Sequence, residues 1–192
     1  MHDIKIKPEE IAFDIDGVVA DTMSSFLKVA RDDFGISHLR KEQITTYWLE
    51  ECLPIDEEII KAIIERILTD PFGVELKPIA GAVDVLRQLN LHAPLRFVTA
   101  RPVKRPIEEW LQAILKTGDH GFQVIATGRH EIKVEILKEL GIRYFVEDHL
   151  ETCQAIHDEG LNSIVFDQPW NQGSTPFLRV KNWRELQGLL DV

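Results

Sequence analysis

The sequence predicts an α/β domain, a mainly parallel sheet with helices on both faces, carrying a small all-helical insert after its first strand. Three observations predict it. From residue 80 onward, short β-rich runs alternate with amphipathic helical ones, which is the pattern of βαβ units. Between residues 20 and 79 that alternation gives way to helical stripes alone. Acidic and hydroxyl residues fall where the strands should end, at the edge of a parallel sheet that faces a ligand.

The elements follow in chain order. Ile11-Ala-Phe-Asp-Ile-Asp-Gly-Val-Val-Ala-Asp-Thr22 opens as an apolar strand. Side chains two apart in an extended chain point the same way, so Asp14 and Asp16 project together from its end and Ile15 opposes them. Two neighbouring carboxylates repel unless a cation or a shared proton relieves them. Gly17 lets the chain turn tightly and opens the strand end. Met23, Phe26, Leu27, Ala30 and Phe34 then make a helical stripe ending at Gly35, and a shorter helix is expected near Arg40 to Leu49. Ile59, Ile60, Ile63, Ile64, Ile67 and Leu68 make a second stripe, stopped by Asp70-Pro71. We expect residues 20–79 to form a helical cap over the strand ends, and 1–19 with 80–192 to form the core domain.

Strands are expected at Leu95–Thr99, Phe122–Ala126, Tyr144–Val146 and Ser163–Phe166, with helices over Pro106–Leu115, about Glu131–Leu140, about Leu150–Glu159 and Trp183–Leu190. On this layout Asp14 with Asp16, Thr99, and Glu147 with Asp148 all sit at carboxyl ends of strands, where active sites of such sheets gather.

Composition sets the outer limits. The 192 residues suffice for one sizeable domain or a domain with an insert. A hydrophobic content of 44% and a charged content of 28% are ordinary for a globular protein. A net charge of −10 and a pI near 5.2 argue against a nucleic-acid polymer or an anionic membrane as partner. They allow a small phosphorylated substrate held by a few local cations. No apolar run approaches the length of a membrane span, and the first ten residues lack the apolar centre of a secretory signal. Cys52 and Cys153 lie far apart without metal-type spacing, so reduced cysteines in a cytoplasmic protein are expected. The sequence is also compatible with a homodimer.

Asp14-x-Asp16-Gly-Val-x-x-Asp-Thr22 resembles the first motif of the haloacid dehalogenase-like (HAD) superfamily of phosphohydrolases. Phe97-Val-Thr99 resembles the second motif, Lys133 at the start of an amphipathic helix the third, and Val146-Glu-Asp148 the fourth. The four occur in the expected order, and the resemblance spans essentially the whole chain. It implies a Rossmann-like core and Mg²⁺-dependent hydrolysis of phosphate monoesters through an aspartyl-phosphate. By the same resemblance Asp14 is the nucleophile and Asp16 the general acid and base, while Thr99, Ala100 and Lys133 hold phosphate. Asp14, the backbone carbonyl of Asp16, and Asp148 would bind the metal, with Glu147 assisting directly or through water.

A second resemblance is local. Ile164-Val-Phe-Asp-Gln-Pro-Trp-Asn171 is similar to the segment after the fifth strand of the cytosolic 5'(3')-deoxyribonucleotidases and their bacterial relatives. It implies nucleoside monophosphates as substrates; Pro169-Trp170 could equally plug a loop against the core. Two departures from that branch stand out: Arg101 in Thr99-Ala-Arg-Pro102, and Glu-Asp where a pair of aspartates is more usual. Arg101 could grip a substrate anion through its planar fork or pair with a surface carboxylate. Phe26, Tyr47 and Trp48 are available to stack on a base. Alternatives stay open at this point: a phosphatase or phosphotransferase for another metabolite such as a sugar phosphate, and a non-catalytic phosphate-binding regulator.

Overall fold

The computed structural model of the chain describes residues 5–118 and 120–192. Six strands form one sheet: β1 (Ile11–Phe13), β2 (Leu95–Thr99), β3 (Phe122–Ala126), β4 (Tyr144–Glu147), β5 (Asn162–Phe166) and β6 (Leu178–Val180). Their order across the sheet is β3-β2-β1-β4-β5-β6, and every neighbouring pair is parallel. The expected α/β class with a Rossmann-like sheet is therefore observed. The chain runs outward from β1 through β2 to β3 and then returns to β4 on the other side of β1. The direction of winding thus reverses beside β1, and such a reversal opens a crevice at the carboxyl ends of the strands.

The central strands are largely apolar because helices cover both faces of the sheet. Ile11, Ala12, Phe13, Phe97, Val98, Phe145 and Val146 are all buried. Trp183, the first residue of helix α7 (Trp183–Leu189), packs on Phe13 with ring centroids 5.5 Å apart and donates its indole N–H to the carbonyl of Val18 at 2.8 Å. The closing helix is thereby fastened to the turn after β1. Among the described residues, no helix is long and apolar enough to cross a membrane.

Between β1 and α3 (Ala82–Leu89) lie two longer helices, α1 (Thr22–Phe34) and α2 (Glu57–Thr69), packed on each other. Asp21 caps α1 by accepting from the Ser24 N–H, and Asp56 caps α2 by accepting from the Glu58 N–H. Gly35 ends α1 at φ +69°, a left-handed conformation that favours glycine. Ile60, Ile63 and Ile67 of the second stripe are buried, whereas Phe34, assigned to the first stripe, is exposed. The chain enters and leaves this segment side by side: the Asp21 N–H donates to the Lys77 carbonyl at 2.9 Å, and the Ile79 N–H to the Val19 carbonyl at 2.8 Å.

The helix expected near Arg40 to Leu49 is absent. Two single 3₁₀ turns, Lys41–Gln43 and Leu49–Glu51, stand in its place. The intervening Ile44-Thr45-Thr46-Tyr47 run is β-branched and aromatic, which disfavours helix, and the Gln43 side chain closes the first turn by accepting from the Arg40 N–H. The helix expected from Glu131 starts as a 3₁₀ turn over His130–Ile132 and becomes α5 only at Lys133–Glu139. The remaining helices are α4 (Arg105–Leu115) and α6 (Leu150–Asp158). Cys52 and Cys153 are both free thiols, as expected.

Candidate active site

Asp14 follows β1 directly and remains tied to the sheet, its N–H donating to the Val146 carbonyl at 2.9 Å. Its side chain is buried and accepts from Lys133 Nζ at 2.9 Å. The same ammonium donates to Glu147 Oε2 at 2.8 Å. Lys133, the first residue of α5, has no exposure at all, so it lies beneath Asp14 and not in the open site. Glu147 Oε1 accepts the backbone N–H groups of Asp148 and His149 at 3.0 and 3.1 Å. Both of its oxygens are therefore committed, one to the ammonium and one to the backbone.

Electrostatics follow from this packing. Burial opposes the charge on Lys133, but Asp14 and Glu147 outweigh it and hold the amine well above the usual lysine range. Burial likewise raises Glu147, yet the Lys133 ammonium and the backbone donors keep it below the ordinary value. One ammonium does not serve three buried carboxylates. Burial, with the charge of Glu147 adding to it, pushes Asp14 up to about 7 despite Lys133. Burial and the facing carboxylates lift Asp148 well above its ordinary value.

Asp148 follows β4. Its Oδ2 accepts the Trp170 indole N–H at 3.0 Å, while Oδ1 is buried without a hydrogen-bond partner. Carboxylate oxygens of Asp14, Glu147 and Asp148 lie within 4.8 Å of one another. An orphaned buried carboxylate oxygen beside a second carboxylate is a hard, anionic donor set short of positive charge. These residues fit a small divalent cation bound by oxygen. Gly17 makes the arrangement possible: at φ +72° a Cβ would lie 2.1 Å from Asp148 Oδ2.

Asp16 is held from two sides. Thr22, the first residue of α1, donates its hydroxyl to Oδ1. Arg101 donates Nε to Oδ2 and Nη2 to Oδ1, both at 2.8 Å. Burial alone would raise Asp16, but the Arg101 guanidinium and the Thr22 hydroxyl bring it below the usual carboxylate range. Of the two fates foreseen for Arg101 the structure shows ion pairing, although with a site residue and not with a surface carboxylate. Its Nη1 stays buried without a partner. Thr99, at the end of β2, is buried and its Oγ1 accepts the Arg101 N–H at 3.3 Å.

Above these residues opens a cleft of about 700 Å³, lined at its floor by Asp14, Asp16, Thr99, Ala100, Arg101 and Asp148. Its far wall is Met23 of α1 with Ile60, Ile64 and Leu68 of α2. The second stripe thus serves both sides: Ile60 belongs to the core and also lines the opening. Tyr47 and Trp48 line it too, whereas Phe26 is buried in the core. The Tyr47 hydroxyl meets His130 Nε2 at 3.3 Å, and its ring lies 3.9 Å from that of His149. Burial lowers both imidazoles, His130 to about 4, so each is neutral at pH 7. Nothing in the sequence marked His130 and His149; a histidine next to Asp148 and another just before Lys133 are the available signals.

The profile of the family described as 5' nucleotidase, deoxy (pyrimidine), cytosolic type C protein matches residues 8–192. The chain is 22% identical over 182 residues to the 5'(3')-deoxyribonucleotidase of Bacillus subtilis (strain 168), covering 92% of this chain and 95% of that one. Among solved structures, YfnB of Bacillus subtilis, bound to magnesium, superposes with a TM-score of 0.61 at 17% identity, over 95% of this chain and 98% of that one. CbbY of Rhodobacter sphaeroides, in complex with phosphate, gives 0.57 at 19% identity, over 94% and 98%. These two likenesses establish the shared fold.

Proposed function

Since the chain belongs to the cytosolic type C deoxy 5'-nucleotidase family of HAD-type phosphoric monoester hydrolases, we propose that it hydrolyses deoxynucleoside monophosphates with Mg²⁺, through an aspartyl-phosphate on Asp14. The observation that carries this reading is convergence. Asp14, Asp16, Thr99 and Asp148 come from three adjacent strand ends and meet on the floor of one cleft, with Lys133 beneath them. The apolar wall of α1 and α2, with Tyr47 and Trp48, suits the face of a base better than a polyhydroxylated sugar.

Asp14 is the nucleophile in this reading. One carboxylate oxygen bonds to phosphorus as the bond from phosphorus to the nucleoside oxygen breaks. Lys133 offsets part of the cost of a charge on Asp14 from below, and Glu147 keeps the ammonium in place. Asp14, the carbonyl of Asp16, and Asp148 would hold Mg²⁺, which when bound supplies positive charge to the phosphoryl oxygens. Thr99 Oγ and the backbone at Ala100 receive the phosphate from the side of β2. Asp16 gives a proton to the leaving alkoxide and then takes one from the water that attacks phosphorus, which frees Asp14 and phosphate.

Arg101 bears on that proton cycle. Held by the guanidinium, Asp16 is a carboxylate, the form that accepts a proton in the second step. The first step asks Asp16 to carry a proton, and transfer of the Arg101 fork to the phosphoryl oxygens would permit it. Residues 20–79 act in this scheme as a cap, joined to the core where 19–21 and 77–79 run antiparallel and exchange backbone hydrogen bonds. A cytoplasmic location agrees with the two free thiols.

The test is phosphate release from a panel of deoxy- and ribonucleoside monophosphates, sugar phosphates and an aryl phosphate, with Mg²⁺ and with chelator. Preference for deoxynucleoside monophosphates supports the reading. Metal-dependent release from sugar phosphates alone would leave the chemistry and overturn the substrate.

A further inference from the structure

The segment Asp167–Asn171 follows β5 and has no place in the chemistry above, yet three of its side chains reach into the site. Gln168 Nε2 donates to the carbonyl of Gly17, in the turn after β1. Trp170 Nε1 donates to Asp148 Oδ2 at 3.0 Å. Asn171 Nδ2 donates to the backbone carbonyls of Asp148 at 2.8 Å and Phe166 at 2.9 Å. Gln168 and Asn171 are both buried. The segment is itself tied down, since Arg179 of β6 donates to Asn171 Oδ1 at 2.8 Å, to the Asn171 carbonyl at 2.7 Å and to Asp167 at 2.7 Å.

A carboxylate presents two equivalent oxygens, and its terminal torsion is soft. A donor fixed on one oxygen breaks that equivalence. At Asp148 the indole N–H occupies Oδ2, and Oδ1 is the atom left buried and unpartnered. We infer that this segment is a strap positioning Asp148, and that Trp170 sets which carboxylate oxygen is presented to the cation. Partners of this kind orient metal ligands, and their loss typically weakens binding roughly ten- to hundredfold. Loop filling by the ring accounts for the packing of Trp170 against Gly17, where a Cβ would stand 3.1 Å from the indole. It does not account for the N–H aimed at the carboxylate. The inference rests on the reading that Asp148 is a metal ligand.

Trp170→Phe keeps an aromatic ring and removes the donor. Calorimetric titration of the full chain with Mg²⁺ alone should give a dissociation constant raised roughly tenfold or more, measured at a temperature where the variant is folded in chelator. Raising Mg²⁺ should then restore turnover. In ¹⁵N-labelled wild-type protein the Trp170 indole resonance should shift saturably with Mg²⁺ and not with NaCl of equal ionic strength; should the variant not fold, this resonance decides alone. A variant that binds Mg²⁺ as the wild type does, or an indole resonance that saturating Mg²⁺ leaves in place, overturns the inference and leaves the metal reading standing. A wild-type chain that takes up no Mg²⁺ overturns both.

Discussion

The guanidinium of Arg101 grips both carboxylate oxygens of Asp16, each at 2.8 Å, across 85 residues of sequence. The pair joins the end of β2 to the turn after β1, and it decides the geometry of the residue assigned to proton transfer. The Arg101 side chain is 1% exposed and that of Asp16 28%. Removing the cation therefore leaves a largely desolvated carboxylate.

Arg101→Lys retains the charge and loses the fork. We expect kcat on an aryl phosphate to fall by about 10²-fold, within the range that a positioned acid–base group supplies, with a smaller change in KM. Steady-state kinetics read the split. An unchanged kcat would show that the fork does not govern Asp16.

Lys133 is the only cation among the described residues in contact with Asp14 and Glu147. Lys133→Met leaves two buried carboxylates without their partner and should cost about 3–5 kcal/mol, measured by urea unfolding in chelator. Part of that loss should return with Mg²⁺, because a cation relieves the same carboxylates. No dependence on Mg²⁺ would contradict a shared electrostatic site.

The dependence of Mg²⁺ binding on pH follows from Asp14. Burial raises its value from the ordinary 3.8 to about 7 in the fold. Between those values the folded state holds a proton that the unfolded chain has lost. The resulting stabilisation is complete below the unfolded value and disappears as pH rises through about 7. Cation binding needs the carboxylate, so it must displace that proton below pH 7. The rise in melting temperature caused by Mg²⁺ should be larger at about pH 8 than at about pH 6; the reverse order would contradict this.

Tyr47 ties residues 41–51 to the core through His130 and His149. Burial, together with Asp148, Glu147 and the other site carboxylates, holds its phenol well above the ordinary value, so it stays a hydroxyl. Tyr47→Phe should cost about 1 kcal/mol in stability and raise KM for nucleoside monophosphates more than it lowers kcat. A fall confined to kcat would place Tyr47 in the chemistry instead.

Much of this architecture was legible in the chain. The strands Leu95–Thr99 and Phe122–Ala126 lie where apolar, β-branched runs between turn signals put them. Asp14, Thr99, Lys133 and Asp148 come together because each sits at an element end; periodicity placed the three strands, whereas Lys133 was singled out by its likeness to the third motif. Harder to read were features without a period. β6 has only three residues, too few to show alternation. α3 is a different case: Ala82, Val85, Leu86 and Leu89 are buried at helical spacing, yet the helix has only eight residues and is not among those expected from the sequence. Residues 40–49 carried enough apolar positions to suggest a helix, but the β-branched run prevented it.

Partnerships across the sequence were harder still. Arg101 was visible as an unusual cation after Thr99, yet only the fold brings it to Asp16. Glu147 and Asp148 are adjacent and chemically alike, and spacing could not divide them. The strand pattern turns Glu147 toward Lys133 and leaves Asp148 Oδ1 free. Trp170 read as well as a loop plug as it did as part of a motif; the direction of its N–H is a tertiary fact.

The central claim is that Asp14 takes the phosphoryl group. Rapid quenching of wild-type protein turning over a deoxynucleoside monophosphate with Mg²⁺, followed by borohydride reduction, converts an aspartyl-phosphate to homoserine, which peptide mass spectrometry locates. The account predicts homoserine at position 14 only when substrate and Mg²⁺ are both present. Turnover with position 14 still aspartate, or homoserine at another acid, would contradict it.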